Sequence, residues 1–573
     1  MANNRYVAIA ALSVGVLGTT ASLAQTDTTG LSMTTEFVGT QINLVKDANK
    51  ISSWPEVKDN IVEIPPITYH TLPNKLNVTI EPQIIKPAKV NVEPPLKKLY
   101  RGYVRAGFGL YTTPLAELYY MDGRSRNGTY SVYAKHLSSA GGVALDKDIP
   151  DSFSRNEVHL WGKRFVKKHA LEGGFDWERD VVHFYGFDPT LYTDVDYDKL
   201  QQSFNNIDGY VQLKSYFRDT TKVNYVGKVM FSNYSDNYQG TENNLDINGT
   251  ARKIIEREIY NADLNLNYNQ FEYQLRDGTE RLRSNDRFIF DLKPTVTSIR
   301  NNFKAILGAN IVLGDKDQFA HFYPIAEVNY SLLDDLFIPY AGITGGLEAP
   351  TYKSLTHVNP WLITDIADPN GFTNVSNKIE AYGGIRGTIS SSASFNLTLR
   401  WNDYENFIYF VNDSLYSPGN QFQIVQDELT VTTLTGEVSV TTTDNFNLLL
   451  RGDYYIYDSG IQAHAWNQPN TKVSLSATYK LQDKFLATAE VFAMGKRRAQ
   501  SLVAVEGVDP QDDGTYEVEL KGFADINFQL EYRYTQRLSA FVRLNNMFAS
   551  KYAMWNNYTV QRFNAMLGAT YSF

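Results

Sequence analysis

The sequence contains no cysteine, so no disulfide can hold its fold together. After the N-terminus it has no run of about 18 apolar residues, which excludes a transmembrane helix. Its net charge of −9 argues against a general nucleic-acid-binding role. Its eight histidines are scattered, with no metal-ligand spacing such as two His four apart on a helix. These absences exclude a disulfide-bonded domain, a helical membrane protein and a nucleic-acid binder.

Catalytic motifs are also missing. His136 lies close to Ser138 and Ser139, but this stretch is typical of a strand end that enters a loop rather than of a hydrolase. Gly107-Phe108-Gly109 does not open a helix, so no phosphate-binding loop is predicted. We therefore expect a protein that is not an enzyme and has no cofactor and no metal site.

Proline is concentrated near the N-terminus, where eight of the 20 prolines lie between Pro55 and Pro95. Because proline removes an amide donor and favours extended geometry, residues 25–97 are predicted to form an extended periplasmic segment rather than a compact domain.

Residues 1–24 have the features of a secretory signal peptide. Arg5 supplies the positive start, Val7–Leu17 the apolar stretch, and Ser22-Leu23-Ala24 a small-x-small cleavage site. The sequence thus predicts that the chain is exported and that the mature protein begins at Gln25.

Aromatic residues are abundant, with 38 Tyr and 31 Phe, and such residues form the interfacial girdles of membrane β-barrels. From Leu99 onward, apolar and polar residues alternate with a period of two, as on strands whose two faces meet different surroundings. The alternation is clearest in Ala524–Tyr534, Lys472–Leu481, Ala262–Asn269 and Phe395–Asn402.

Short and long connections alternate along the same region. The sequence predicts tight turns at 218–221, 299–302, 333–336, 390–394, 443–445, 482–484 and 535–537, and long loops near 181–200, 236–247, 348–375, 413–420, 458–467, 494–516 and 551–558. This pattern is typical of a membrane barrel. We therefore predict an all-β fold, a transmembrane antiparallel β-barrel of about 22 strands over residues 98–573. In its least regular part, Ala251–Glu258 is compatible with a short helix.

The last residues, 563–573, alternate almost without error. Phe563, Tyr571 and the terminal Phe573 lie on the apolar face of the predicted strand. We interpret these three aromatic residues as a C-terminal insertion signal that the barrel-insertion machinery reads.

Three segments near the C-terminus resemble the closing strands of TonB-dependent receptors: Asp525–Tyr534, Leu538–Phe548 with its Asn545-Asn546 pair, and Lys551-Tyr552. Asp47–Ile51, Gly102–Gly109 and His136–Ser139 resemble a receptor-like subgroup of Bacteroidota type. The resemblance implies a receptor-like barrel in the cell outer membrane. Members of this family carry an N-terminal plug, whereas residues 25–97 are too few and too rich in proline to form one, so we expect a barrel that lacks an evident plug.

The polar faces of the predicted strands are the candidate functional surface. The lumen-facing polar candidates are Asp263, Asn265, Asn267, Arg400, Arg451, Asp453, Lys472, Asp525, Glu531, Arg533, Arg543 and Asn545. Two interpretations stay open: a mixed-charge conduit, or cross-strand hydrogen bonds and ion pairs that stiffen the wall around an occluded lumen.

Two functions follow from these features. The first is a receptor-like channel or transporter for an unknown solute; the alternative is a structural or assembly partner barrel in an outer-membrane protein complex. The expected partners are outer-membrane lipid and lipopolysaccharide, the barrel-insertion machinery, and a periplasmic or outer-membrane protein bound through residues 25–97. Lys496-Arg497-Arg498 could contact lipopolysaccharide or form a solvated loop.

Overall fold

The fold is taken from a computed structural model. It describes residues 100–573 except 123–126, 275–281, 315–317, 334, 365–372, 414–416, 443–444 and 502–514. The predicted signal peptide, residues 1–24, and the predicted extended segment, residues 25–97, lie outside the described residues.

The described chain is almost entirely β-structure. Its strands are β1 (Gly102–Gly109), β2 (Thr113–Met121), β3 (Gly128–Ser139), β4 (Phe153–Val166), β5 (His169–His183), β6 (Gln201–Ser215), β7 (Asn224–Asp236), β8 (Thr241–Ile255), β9 (Glu258–Gln274), β10 (Leu282–Arg300), β11 (Phe303–Leu313), β12 (Ala320–Tyr330), β13 (Ile338–Glu348), β14 (Val375–Ser390), β15 (Ala393–Asn412), β16 (Phe422–Thr442), β17 (Phe446–Ser459), β18 (Thr471–Leu481), β19 (Phe485–Met494), β20 (Arg497–Ser501), β21 (Tyr516–Leu520), β22 (Phe523–Arg533), β23 (Leu538–Asn545), β24 (Ala553–Trp555), β25 (Tyr558–Thr559) and β26 (Asn564–Ser572). The helices are α1 (Tyr352–Val358) and a 3-10 turn at Tyr197–Lys199. No helix in the described ranges is long and apolar enough to cross a membrane.

Twenty-two of these strands form one closed antiparallel wall, which confirms the predicted strand count. They are β1–β19, β22, β23 and β26, each paired with its neighbours, and β26 pairs with β1 from Tyr103↔Ser572 to Gly109↔Met566. Closure pairs the backbone groups of both edge strands and leaves no open edge. The hairpins β20–β21 and β24–β25 belong to loops outside this wall.

The two faces of the wall differ as the alternation predicts. Apolar side chains such as Val229, Leu399 and Leu567 are 47–64% exposed on the outer face, where lipid would cover them. Exposed aromatic side chains band this face near both strand ends: Tyr130, Tyr225, Tyr260, Tyr330, Tyr479, Tyr532 and Tyr571 at one end, and Phe108, Tyr268, Phe288, Phe322 and Tyr454 at the other. These bands match the interfacial girdles of membrane barrels.

The predicted tight turns are confirmed wherever the structure describes them, because each lies between two consecutive paired strands. Several turn residues have left-handed φ, among them Asn301 at 50° and Gln482 at 50°. Two details of the prediction are wrong. The connection near 236–247 shortens to 237–240 because β8 begins at Thr241, and Ala251–Glu258 is strand and turn, not helix, because Glu256 takes φ 55° between β8 and β9.

Candidate functional site

The long loops gather at one end of the barrel. The short turns lie at the other end, together with Phe573, whose backbone bonds to Arg101 and Gly102. Since membrane barrels have short periplasmic turns and long extracellular loops, the loop end is the extracellular mouth. Here the loops pack into one buried aromatic cluster, which we call the cap: it is built from loops 140–152, 184–200, 349–364 and 546–563 and the strand ends beside them, among them Phe410 and Phe422.

Three aromatic side chains form the centre of the cap. The rings of Trp361 and Tyr558 stack with centroids 3.8 Å apart. The ring of Tyr185 packs edge-on against both, with its centroid 4.9 Å from that of Tyr558 and 6.1 Å from that of Trp361. Trp361 and Tyr558 are 1% exposed. Trp361 Nε1 donates to the His183 carbonyl at 3.0 Å, so its polar edge is satisfied.

The three central residues come from loops that lie far apart around the wall. Eight wall strands, β6–β13, separate the loop of Tyr185 from that of Trp361, and eight more separate Trp361 from Tyr558. Six strands, β26 and β1–β5, complete the circle. Loops that start from three such separate sectors of a closed wall meet only by reaching across its opening, so these loops extend over the mouth.

Hydrogen bonds to backbone carbonyls fix the cap loops to one another. Asn420 Nδ2 donates to the Phe184 carbonyl at 2.7 Å, which joins loops on nearly opposite sides of the wall. Residues 361–363 add to the start of β16 in parallel: Phe422 N donates to Trp361 O at 2.9 Å and Ile363 N to Phe422 O at 2.8 Å. Such bonds leave little freedom for independent loop movement.

The helix α1 joins the cap to the inner face of the wall. Thr351 caps the helix through a capping box with Ser354. The carboxylate of Glu242, which is 2% exposed on β8, accepts the backbone N–H groups of Tyr352 at 2.8 Å and Lys353 at 3.0 Å. A carboxylate at free helix N–H groups is a favourable charge-assisted contact.

Two further wall carboxylates hold the same loop. Lys353 Nζ lies 2.7 Å from Asp208 of β6. Asp236, at the end of β7, accepts the hydroxyl hydrogens of Tyr352 at 2.6 Å and Thr364 at 2.7 Å. We call Asp208, Asp236 and Glu242 the carboxylate latch.

A ladder of amide and carboxylate side chains runs down from the latch along β8 and β9. Asn269 Nδ2 donates to Glu242 at 2.9 Å. Two residues further from the latch on β9, Asn267 Nδ2 donates to Asn244 at 2.8 Å and to Asp246 at 2.7 Å. Of the sequence candidates, Asn267 therefore lies in a bonded chain that reaches the cap helix. In register with the ladder, Asn265 faces Asp291 and Asp263 faces Lys293.

The other sequence candidates fall on the same polar strand faces in three groups. On β15, Arg400 pairs with Glu380 at 3.3 Å. On β17 and β18, Asp453 pairs with Arg451 at 3.0 Å and stands opposite Lys472. The remaining candidates line the closing strands: Asp525, which accepts from Tyr552 at 3.3 Å; Glu531, 3.8 Å from Arg105; Arg533, opposite Ser539; Arg543, which donates to Gln529 at 3.0 Å; and Asn545, opposite Asn564.

The predicted insertion signal occupies the closing seam. Phe563 directly precedes β26, Tyr571 stands opposite Val104, and the ring of Phe573 stacks with Tyr120 at 6.4 Å. Its reading by the insertion machinery stays a prediction.

The basic run at the start of β20 is internally paired. Lys496 lies 2.7 Å from Glu519, and Arg498 lies 2.7 Å from Glu517. Arg497 is 4% exposed and donates to backbone carbonyls of β24; burial lowers its pKa to about 10. These cations are engaged by groups of the extracellular loops themselves, which weakens the case for a lipopolysaccharide contact here.

Sequence reasoning found the polar faces but missed the cap and its latch. The signal available was the presence of large aromatic residues inside predicted loops, such as Tyr185, Trp361 and Tyr558. Burial raises the pKa of the Tyr185 and Tyr558 hydroxyls, so both stay neutral donors. Across the described residues, no three His, Asp or Glu side chains come together as a metal site.

No protein-family model and no curated protein sequence matches the chain, but solved structures do. The FrpB iron transporter of Neisseria meningitidis aligns with a TM-score of 0.64 at 11% identity, over 83% of this chain and 82% of that one. The siderophore receptor PirA of Acinetobacter baumannii gives 0.62 at 10% identity, over 82% and 80%. The pyoverdine receptor FpvA of Pseudomonas aeruginosa PAO1 gives 0.59 at 15% identity, over 83% and 78%.

At such identities the likeness shows the fold alone. These neighbours are transport receptors rather than enzymes. The closed wall, the apolar outer face with its aromatic bands and the shared fold agree with one another. The chain is an outer-membrane β-barrel with the fold of these receptors.

Proposed function

We propose that this protein is a receptor-like transporter in which the extracellular cap, rather than an N-terminal plug, gates a polar lumen. The observation that carries the proposal is the meeting of Tyr185, Trp361 and Tyr558, from three separate sectors of the wall, at the mouth of the barrel. A cap made from loops of all sides of the wall blocks passage until those loops separate. The short, proline-rich segment 25–97 is compatible with this proposal, because a gate formed by the extracellular cap requires no folded plug.

The lumen wall beneath the cap supplies the second part of the proposal. The polar faces carry both signs of charge, with pairs such as Arg400–Glu380 and Arg451–Asp453. A wall of mixed charge and amides would solvate a polar solute without selecting one sign of charge. The neighbours named as siderophore receptors and iron transporters suggest a metal chelate as one solute to test.

The experiment measures the conductance of the purified protein in planar bilayers. The wild type should be silent or open rarely, whereas Trp361→Ala combined with Tyr558→Ala should conduct stepwise because each truncation removes about 3–5 kcal/mol of cap packing. Tyr197→Ala is the matched control: it truncates an exposed aromatic residue of the loop that carries Tyr185, and it should stay silent.

Two results would overturn the proposal. If the wild type conducts steadily, the cap is not a gate. If the double variant stays silent while its barrel remains folded, as shown by heat-modifiable migration on gels, the lumen is not a conduit. A protein that co-purifies in that second case would favour an assembly role and would be traced to residues 25–97 by truncation.

A further inference from the structure

The periplasmic end of the barrel has one strongly basic sector. It consists of two turns and the strand ends beside them, residues 164–169 and 216–223, which carry five exposed cations, Arg164, Lys167, Lys168, Arg218 and Lys222, against one carboxylate, Asp219. We call these five residues the basic rim cluster. Their concentration in two neighbouring turns distinguishes this sector from a turn such as 482–484, where Asp483 stands beside Lys484.

The two turns form one continuous surface. Tyr216 N donates to the Lys168 carbonyl at 2.7 Å, and the strands that lead into the turns pair at His169↔Ser215. The cations therefore occupy fixed neighbouring positions rather than separate loops, so several of them can contact one ligand.

The basic rim cluster lies beside an aromatic patch on the outer side of the wall. The ring of His169 lies 5.5 Å from that of Phe217 and 6.0 Å from that of Tyr225. Lys222 Nζ lies 5.6 Å from the Phe217 centroid. Tyr225 belongs to the periplasmic aromatic band, so the patch lies at the level of the lipid headgroups.

Within the described part of the chain the basic rim cluster is engaged only weakly: Lys222 lies over the Phe217 ring, and Lys222 and Lys168 attract Asp219 without forming an ion pair with it. Nearby Lys163 pairs with Glu172 at 3.5 Å, and Arg300 pairs with Glu258. No ion pair to a described carboxylate engages the five cluster residues. The neighbouring carboxylate, Asp219, accepts from the backbone and hydroxyl of Thr221 at 3.0 and 2.7 Å, which is a turn-stabilising role.

We propose that the basic rim cluster binds the phosphate groups of anionic phospholipids in the periplasmic leaflet. Lysine and arginine are the side chains that bind phosphate, and the adjacent aromatic patch offers the apolar contact that a lipid glycerol and upper acyl chain require. A soluble acidic partner would not need that contact at the aromatic band. The bound lipid would fix the orientation and depth of this side of the barrel in the membrane.

The test uses the full chain in nanodiscs of phosphatidylethanolamine with a fixed minority of phosphatidylglycerol. After release in mild detergent, native mass spectrometry counts the phosphatidylglycerol that stays bound. The triple variant Lys167→Gln, Lys168→Gln and Lys222→Gln should lose roughly a factor of five in retention for each removed charge. The control, Lys480→Gln with Lys484→Gln, removes two charges from another sector of the same rim and should retain the lipid.

A charge-preserving variant separates recognition from folding: the same three lysines replaced by arginine should retain phosphatidylglycerol. Excess inorganic phosphate should not displace the lipid, since the aromatic contact is absent from the free ion. Three results would each overturn the proposal. The control could lose as much phosphatidylglycerol as the triple variant, the wild type could retain phosphatidylethanolamine and phosphatidylglycerol equally, or inorganic phosphate could displace the lipid. A co-purifying acidic protein that the triple variant loses while lipid retention is unchanged would also overturn it.

Discussion

Glu242 is the residue through which the wall and the cap are joined most directly. Its two carboxylate oxygens accept the first N–H groups of α1, and one of them also accepts from Asn269. Because the side chain is buried, each lost contact leaves a polar group without water to replace it. A single residue in the middle of this bonded chain therefore controls how firmly α1 is held.

We expect Glu242→Gln to loosen the cap by about 1–3 kcal/mol, since the amide replaces one acceptor oxygen with a donor that faces an N–H group. Hydrogen exchange of residues 352–358 should accelerate while the wall stays protected. Glu272→Gln is the control, because this exposed carboxylate lies at the same level on the outer face of β9. Unchanged exchange in Glu242→Gln would show that the latch does not hold α1.

We expect His357, in the last turn of α1, to make the cap sensitive to pH. Burial lowers its pKa; the Lys353 carbonyl, 2.6 Å from Nδ1, opposes that shift, and the charges that face it are those of Lys353, Asp180 and Arg155. When the cap opens and water reaches the side chain, the histidine pKa returns to about 6.5. The closed cap thus binds fewer protons than the open one, and closure must weaken as pH falls below that value.

The expected result is faster hydrogen exchange of residues 352–358 at pH 5 than at pH 7.5. His357→Gln should remove most of this difference, whereas His464→Gln, in another extracellular loop, should preserve it. A pH dependence that survives His357→Gln would assign the effect to another group.

At the scale of one element, β18 shows how the alternation sorts lipid from lumen. Leu475 stands opposite Leu450 and Val491 on the two neighbouring strands, so its face is apolar across three strands. Ser476 points to the other face, opposite Leu449 and Glu490. Consecutive residues of β18 therefore face two different environments, the lipid and the lumen.

Leu475→Arg should therefore impair assembly, because arginine near the bilayer midplane costs about 2–4 kcal/mol. Ser476→Arg should be tolerated, since the guanidinium can pair with Glu490 on the neighbouring strand β19. The measurement is the fraction of heat-modifiable barrel recovered from the outer membrane. Equal recovery of both variants would mean that the two faces are misassigned.

At the scale of the whole molecule, the wall completes its own hydrogen bonding. The pairing of β26 with β1 closes the sheet, and Arg105 fastens the seam through Glu117 at 3.4 Å and Thr570 at 3.3 Å. A closed barrel has no edge that an added segment must cover. Insertion should then depend on the wall rather than on the residues before it.

Deleting residues 26–90 with the signal peptide retained should leave barrel insertion intact. If the segment partly fills the lumen, sensitivity to large solutes should rise; if it binds a protein, that protein should be lost with permeability unchanged. Outer-membrane fractionation and solute-sensitivity assays measure both. Failure of insertion would show that the segment is a folded part of the barrel and that the boundary at residue 97 is wrong.

The sequence alone determined the wall. Period-two alternation and turn residues are local signals, readable within about ten residues, and they specify which side chains share a face, where strands end and roughly how many there are. The polar candidates such as Asp453 and Lys472 were predicted for the same reason. The errors near residue 240 and at Ala251–Glu258 arose where charge and amides blur the alternation.

Only the tertiary structure decided what covers the mouth. Tyr185, Trp361 and Tyr558 lie more than 170 residues apart in sequence, and nothing periodic in their loops links them. They meet because the closed wall spaces their loops around one axis, and Glu242 becomes a latch only because that geometry brings the start of α1 to it. Contacts of this kind depend on the closure of 22 strands, a global property that no local pattern encodes.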